Sequence, residues 1–253
     1  MTLLIDADWL IHSGCAACEV DTKWDDCIHT LHLDEGDVKD FIAMKLEYWR
    51  ELTGHTDVIM CFSDYPTFRH EMNDEYKANR IGKRKPLGMK DIRRWVTDNY
   101  ITRVCAGLEA DDVLGLLATG ALVPDPIIVS IDKDMRTIPC SLLASDTVET
   151  VTPAQANRAW MLQALTGDST DNYSGLKGVG PVSAAKILGD TEHLGELWEK
   201  VVAAYRKAGA TFQDALFNAR MARILRYGDY DFHAGTVSLW DPDCDPAVKA
   251  NAA

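Results

Sequence analysis

Thr2–Asp8 (TLLIDAD) decides the fold class of this chain, because it is a short apolar run that ends in acids. The same design returns at Val58–Asp64 (VIMCFSD) and at Ile127–Asp134 (IIVSIDKD). Short apolar runs of this length read as strands buried on both faces, the pattern of a parallel sheet. Between them, Val38–Leu52 places Phe41, Ile42, Lys45, Leu46 and Trp49 at helical spacing, and Asp111–Leu122 reads as another helix. The alternation predicts an α/β fold whose ligands bind beyond the carboxyl ends of the strands, where these acids sit. From Thr152 onward the pattern turns helical: Pro153–Thr166, Pro181–Leu188, Leu194–Ala208 and Phe212–Tyr227. Thr236–Trp240 reads as a short closing strand, and Asp241–Ala253 as a loose tail.

The 253 residues carry 26 Lys plus Arg against 39 Asp plus Glu, a net charge of -13. That balance argues against a protein that coats nucleic acid through general positive charge. A hydrophobic content of 47 % is enough for a real core, and no apolar run is long enough for a membrane span. The expectation is a soluble, cytoplasmic protein. Seven cysteines, odd in number and mostly in apolar surroundings, read as reduced thiols. Cys15, Cys18, Cys27, His29 and His32, with His12 nearby, have a loose zinc-like pattern, but their spacing is irregular and small core thiols explain them better.

The acids are harder to explain by local structure. Glu109, Asp111 and Asp112 would complement a helix dipole, Asp64 before Tyr65-Pro66 would suit a turn, and GDSTDN (Gly167–Asn172) would suit a loop. Capping does not explain ten acids recurring at strand ends and helix starts: Asp6, Asp8, Asp64, Glu109, Asp111, Asp112, Asp132, Asp134, Asp168 and Asp171. Asp132 and Asp134, two apart at a strand end, are expected to turn to one side. Crowded carboxylates repel, and hard divalent cations with oxygen ligands, Mg²⁺ above all, relieve that repulsion. Such ions activate water and stabilise the leaving oxygen in phosphodiester hydrolysis.

From Arg69 to Arg94 the charge inverts: nine Lys and Arg against four acids. In an acidic protein this is a focused phosphate-binding element. If Asn73–Arg80 is helical, Lys77 and Arg80 share a face, with Tyr76 beside them to stack on a base.

The ordered set Asp64, Phe68-Arg69, Tyr76–Arg80 (YKANR), Glu109–Asp112 (EADD), Asp132–Asp134 (DKD), Gly167–Asn172 (GDSTDN) and Gly175–Gly180 (GLKGVG) resembles the 5'-nuclease, or flap endonuclease, superfamily. It is most similar to the exonucleases of T7-like phages, down to MARILRYGDY at Met221–Tyr230. The resemblance implies a PIN/FEN-like, mostly parallel sheet flanked by helices, with a core over residues 1–170 and a helical arch at about 66–98. A C-terminal helical region over 171–253 would pack on it and carry a helix-hairpin-helix at Gly175–Leu188. It implies metal-cluster acids at Asp6, Asp64, Glu109, Asp111, Asp112, Asp132, Asp134, Asp168 and Asp171. Asp8 stands where many members have a small polar residue. Lys77 and Arg80 would meet the scissile phosphate, with Asp132 also catalytic, and Arg69, Tyr76, Lys83, Lys177, Gly178, Gly180 and Lys186 would join Lys77 and Arg80 in binding nucleic acid. The implied activity is 5'-3' exonuclease on double-stranded DNA, with flap endonuclease and RNase H-type activity, in phage DNA replication or recombination. Its cofactors would be two or three Mg²⁺, with Mn²⁺ as a substitute, and K⁺ at the hairpin; its partners, DNA with 5' ends or flaps and RNA-DNA hybrid, bound by a monomer without a membrane.

Three rivals are weaker. Asp6-Ala7-Asp8 and GDSTD imitate a haloacid-dehalogenase-like phosphatase, but Asn157–Thr166 before the acidic loop reads as helix where that fold needs a strand. A PIN-type ribonuclease lacks an arch and hairpin, and a non-catalytic nucleic-acid-binding module would have lost some of the acids.

Overall fold

The structure, a computed structural model, describes residues 1–249. Strand β1 (Thr2–Asp6) is buried along its whole length and runs into α1 (Ala7–Cys18). An exposed antiparallel ribbon, β2 (Val20–Lys23) and β3 (His29–His32), leads to α2 (Glu35–Thr53) and β4 (Asp57–Phe62). Next come α3 (Phe68–Met72), α4 (Met89–Asn99), β5 (Ile101–Val104), α5 (Ala110–Thr119) and β6 (Pro126–Val129). The last two strands of the sheet are β7 (Cys140–Leu143) and β8 (Val148–Val151).

The sheet order is β5-β4-β1-β6-β7-β8, parallel except where β8 pairs antiparallel with β7. Leu3 pairs with Val58 on one side and Ile127 on the other, so β1 is the centre. The chain moves outward from β1 through β4 to β5, then returns to place β6 on the other side of β1. That reversal makes a crevice at the carboxyl ends of β1 and β6, the ligand site of open α/β sheets. The mostly parallel sheet flanked by helices is the architecture that the acid-ended runs predict. The antiparallel β7-β8 edge has no acid signal, and neither does the opposite edge strand, β5.

Both faces of the sheet are covered. Leu3, Ile5 and Val129 join Leu10, Ile42 and Trp49 on one side; Leu4, Ile128 and Leu142 join Leu114 and Leu117 on the other. A third core lies among α6 (Pro153–Thr166), α7 (Pro181–Leu188), α8 (Leu194–Lys207) and α9 (Phe212–Ala222), around Trp160, Trp198 and Tyr205. Helix α9 stops five residues before the expected Tyr227, because the following backbone is used elsewhere: the Leu225 N–H donates to Asp112 (3.1 Å). Thr236–Trp240 yields only β10 (Thr236–Val237), paired with β9 (Tyr230–Asp231) in a two-stranded ribbon. The expected loose tail is tied down as far as it is described: Trp240 is buried, its indole N–H donates to Asp245 (2.8 Å), and α10 (Pro246–Lys249) lies against α8. Residues 250–253 lie outside the described residues. Among the described residues no helix is long and apolar enough to cross a membrane.

Candidate active site

A cavity of about 240 Å³ opens at the β1/β6 crevice. Of the nine expected metal-cluster acids, seven line it: Asp6, Glu109, Asp111, Asp132, Asp134, Asp168 and Asp171. Asp8 joins them. Asp6, at the end of β1, caps α1 by accepting from the Trp9 N–H (3.0 Å), and is 7 % exposed. Asp132 and Asp134 stand beyond the end of β6, and no strand pleat aligns them. Asp132 accepts from the Asp134 N–H (2.9 Å) at the start of a short 3₁₀ turn, Lys133–Thr137, and that turn brings both to the cavity. Burial raises the Asp6 carboxyl to about 7, with Asp8 and Asp132 adding to it and the Trp9 N–H opposing. Burial and Asp132 raise Asp134 to about 6, and burial with Asp6, Glu109 and Asp132 raises Asp111 well above the usual range. These carboxylates are short of positive charge.

Glu109-Ala110-Asp111-Asp112 splits into different roles. Asp111 faces the cavity, whereas Asp112 is completely buried and turned away. It accepts a two-pronged pair from Arg69, Nη1 to Oδ2 at 2.7 Å and Nη2 to Oδ1 at 2.9 Å. Arg69, 3 % exposed, also donates to Glu109 (3.2 Å) and to the carbonyls of Met221 (3.1 Å) and Arg223 (2.6 Å). The expected roles of Asp112 on metal and Arg69 on nucleic acid therefore do not match their positions. A buried charge needs an ionic and hydrogen-bonding partner, and these two satisfy one another. The Met221–Tyr230 stretch supplies the carbonyls of this clamp. Its close approach needs Gly115, where a Cβ would stand 2.2 Å from the Leu225 carbonyl oxygen.

Asp64 is also turned away from the cavity. Its side chain accepts from the Gly107 N–H (3.1 Å), a turn role. Instead, Ser63 and Asp8 face the cavity; the Ser63 N–H donates to Asp8 (2.8 Å), and Arg93 holds Asp8 from the other side (3.1 Å). Asp8 and Arg93 are the pair that sequence reasoning undervalued. The signals for Asp8 were its spacing from Asp6 and its place at a strand end.

The basic segment is not a continuous helical arch. Asn73–Arg80 forms turns with a 3₁₀ segment at Ala78–Arg80, and Lys77 sits in left-handed backbone at φ 55. Tyr76 is 4 % exposed and donates through its hydroxyl to Glu109 (2.8 Å) and Asp171 (3.0 Å), so its ring is not free to stack on a base. Lys77 pairs with Glu109 and stands 3.6 Å from Asp171, and Arg80 pairs with Asp171. Burial lowers the Lys77 ammonium, but Glu109 and Asp171 outweigh it and hold its pKa raised; burial likewise raises Glu109, but Arg69 and Lys77 hold it below the usual range. Lys83, Lys177, Gly178, Gly180 and Lys186 are exposed.

Gly167–Asn172 bends back on itself: Asp168 accepts from the Thr170 N–H (2.7 Å), and its backbone exchanges bonds with Tyr173. Here Gly167 and Gly175 cross so closely that a Cβ on either would meet the other's amide nitrogen at 2.4 and 2.2 Å. The helix-hairpin-helix is not confirmed. Only α7 adjoins the Gly178–Gly180 turn, and the residues before it form turns rather than a helix.

Among the described residues no three His, Cys, Asp or Glu side chains stand close enough to form a ready ion site, at the cysteines or in the acidic cavity. The cysteines of the zinc-like pattern are divided between α1 and the exposed ribbon, and burial pushes the Cys15 thiol up to about 11. The acidic cavity is a different case, since eight carboxylates dominate its oxygen donors and three of them carry raised pKa values through crowding and burial. That donor set fits hard divalent cations.

Acids at the switch point of an α/β sheet, with lysine and arginine at their rim, define a class: nucleases that hydrolyse phosphodiesters. Residues 1–163 match the family described as 5'-3' exonuclease, N-terminal resolvase-like domain. The chain belongs to this 5'-3' exonuclease family. It is 27 % identical to the exonuclease of Escherichia phage T7, over 95 % of this chain and 93 % of that protein. It is likewise 27 % identical to the exodeoxyribonuclease of Enterobacteria phage T3, over 95 % and 92 %. Its fold is similar to that of the flap endonuclease of bacteriophage T5, solved with DNA and metal ions: TM-score 0.63, 16 % identity, 87 % of this chain and 88 % of that one. The motif resemblance to the 5'-nucleases is borne out.

Proposed function

We propose that this protein is a Mg²⁺-dependent 5'-3' exonuclease of double-stranded DNA that also cuts flaps and the RNA of RNA-DNA hybrids, in phage DNA replication or recombination. The observation that carries the reading is the cavity itself, eight carboxylates with Lys77 and Arg80 at their edge. Asp6, Asp8, Glu109, Asp111, Asp132, Asp134, Asp168 and Asp171 would hold two or three Mg²⁺, with Mn²⁺ as a substitute. Bound there, the ions would supply an activated water and charge stabilisation for the leaving oxygen.

The chain's own residues do the rest. Lys77 and Arg80, now paired with Glu109 and Asp171, line the cavity together with Lys133, and they balance charge that develops on the oxygens of a phosphate entering it. Arg93 holds Asp8 in place, and Arg69 with Asp112 fixes the start of α5 so that Glu109 and Asp111 stay aimed. Lys83, Lys177, Lys186 and the backbone at Gly178 and Gly180 would contact phosphates farther along the strand without reading sequence. A K⁺ at the carbonyls of that turn, a monomeric state and the host-cell cytoplasm belong to the same proposal.

The test is a 5'-labelled duplex incubated with protein and Mg²⁺, with and without EDTA. Cleavage from the 5' end that EDTA abolishes is expected; equal cleavage in both tubes would refute the metal requirement.

A further inference from the structure

A second cavity, of about 150 Å³, adjoins the acidic one. Trp9 lines both. The chain joins them twice: Asp8 lines the acidic cavity and Trp9 follows it, while Asp132 lines the acidic cavity and Ile131, one residue earlier, lines the second. The two cavities therefore share the Trp9 side chain as a common wall, so that a group seated in the second cavity and one held by the acids flank the same indole.

The walls of this cavity are aromatic and aliphatic. Trp9 and Trp49 pack together, ring centroids 6.1 Å apart and tilted by 33°, and Phe41 and Ile131 extend that surface. Ile131 is 63 % exposed, a large apolar side chain left open beside a highly charged site. Polar groups stand at the rim. Lys45 holds its ammonium 5.7 Å from the Phe41 ring, and the Tyr48 hydroxyl donates to Asp146 (2.9 Å).

We propose that this cavity binds one nucleobase, that of a nucleotide flanking the cleaved phosphodiester. The inference rests on the nuclease reading of the acidic cavity and adds the site that positions its substrate. The occupant must have apolar faces and a polar edge, and must be tethered to a phosphate one step away. Drug-sized ligands take about 300–1,000 Å³, so the volume here suits a single planar heterocycle. Aromatic walls stack on the face of any base, which makes the site indifferent to sequence. Lys45 at the rim donates to acceptors on the base edge, and Trp9, shared by both cavities, sets the angle between base and phosphate.

Three 5'-phosphorylated duplexes test this with the full chain and Mg²⁺: one intact, one abasic at the first nucleotide, one abasic at the second. One of the two abasic duplexes is expected to raise KM at least about ten-fold, the loss of one stacked base. Phe41→Ala and Lys45→Ala should raise KM on the intact duplex with kcat little changed, and should shrink the abasic penalty. Because Phe41→Ala also removes packing, Lys45→Ala, a rim residue, is read beside it with a melting curve for each. Equal KM on all three duplexes, or a penalty that survives Lys45→Ala in full, overturns the proposal. If no duplex is cleaved, the nuclease reading fails and the cavity is judged by binding alone. Quenching of tryptophan fluorescence by a deoxynucleoside 5'-monophosphate in EDTA, absent with deoxyribose 5-phosphate and weakened by Lys45→Ala, upholds the base site. No quenching, or equal quenching by the sugar phosphate, refutes it.

Discussion

The strand-end acids and the basic segment line one cavity, yet they are built on different principles. Asp6, Asp132 and Asp134 stand where backbone topology leaves them, at or just beyond the carboxyl ends of two neighbouring parallel strands, and the groups that hold them are uncharged: the Trp9 N–H on Asp6, the Asp134 N–H on Asp132 and the Gln163 side-chain amide on Asp134. Residues 69–80 stand where charge pairing pulls them. Arg69 is drawn inside to Asp112, and Tyr76 and Lys77 are drawn onto Glu109 and Asp171. Position along a strand is legible in sequence; the choice of ionic partner among many acids is decided by three-dimensional distance.

The sharpest way to break this comparison is to strike each side. Asp132→Asn removes a charge from the cavity while keeping the size of the side chain, and cleavage is expected to fall at least about 10²–10³-fold with binding in Ca²⁺ preserved. Single-turnover rates and gel shifts measure the two; full activity would remove Asp132 from the chemistry. Arg69→Met and Lys77→Met separate the two kinds of basic residue. Arg69→Met leaves Asp112 as an uncompensated buried charge and should cost about 3–5 kcal/mol in denaturant unfolding, whereas Lys77→Met, nearer the surface, should lose rate rather than stability. An Arg69 variant of normal stability but weak DNA binding would restore its expected role on nucleic acid.

A smaller effect concerns pH. Asp6, raised to about 7, and Asp134, raised to about 6, keep protons in the folded state that the unfolded chain has already lost. From about pH 4 to pH 7 the folded state binds more protons, so this cluster's contribution to stability falls as pH rises through that window. Glu109, held below its usual value, acts on the acid side of it. The metal-free protein should melt about 3–6 °C lower at pH 8 than at pH 5.5, and Mg²⁺ should close the gap. A melting temperature that is flat or higher at pH 8 would show that the cluster is not frustrated. The smallest effect is Asp64→Asn, which leaves the cavity untouched and should change the rate by no more than about three-fold, against a larger loss for Asp8→Asn. The reverse order would place Asp64 in the site.

Much of the molecule could be read without coordinates. Helices α6 and α7 have the predicted boundaries, since Thr152 and Gln155 form a reciprocal cap, and Pro153 and Pro181 open the two helices while Gly167 and Gly189 close them. The three acid-ended runs are strands of one sheet, and seven of nine expected acids meet. The misreadings have a common cause. Asp64, Asp112, Arg69 and Tyr76 are all polar residues whose neighbours in space are far away in sequence, up to the Arg69 contact with the Arg223 carbonyl.

The sequence by itself determined the three central strands, their parallel direction and the edge at which carboxylates gather, because apolar runs and terminal acids are local features with a period the backbone imposes. Tertiary structure alone decided which acids stay open to the cavity and which are consumed by the protein's own cations. That choice depends on burial and on distances of a few ångströms between segments, and a charge removed from water must pair with whatever the fold brings to it.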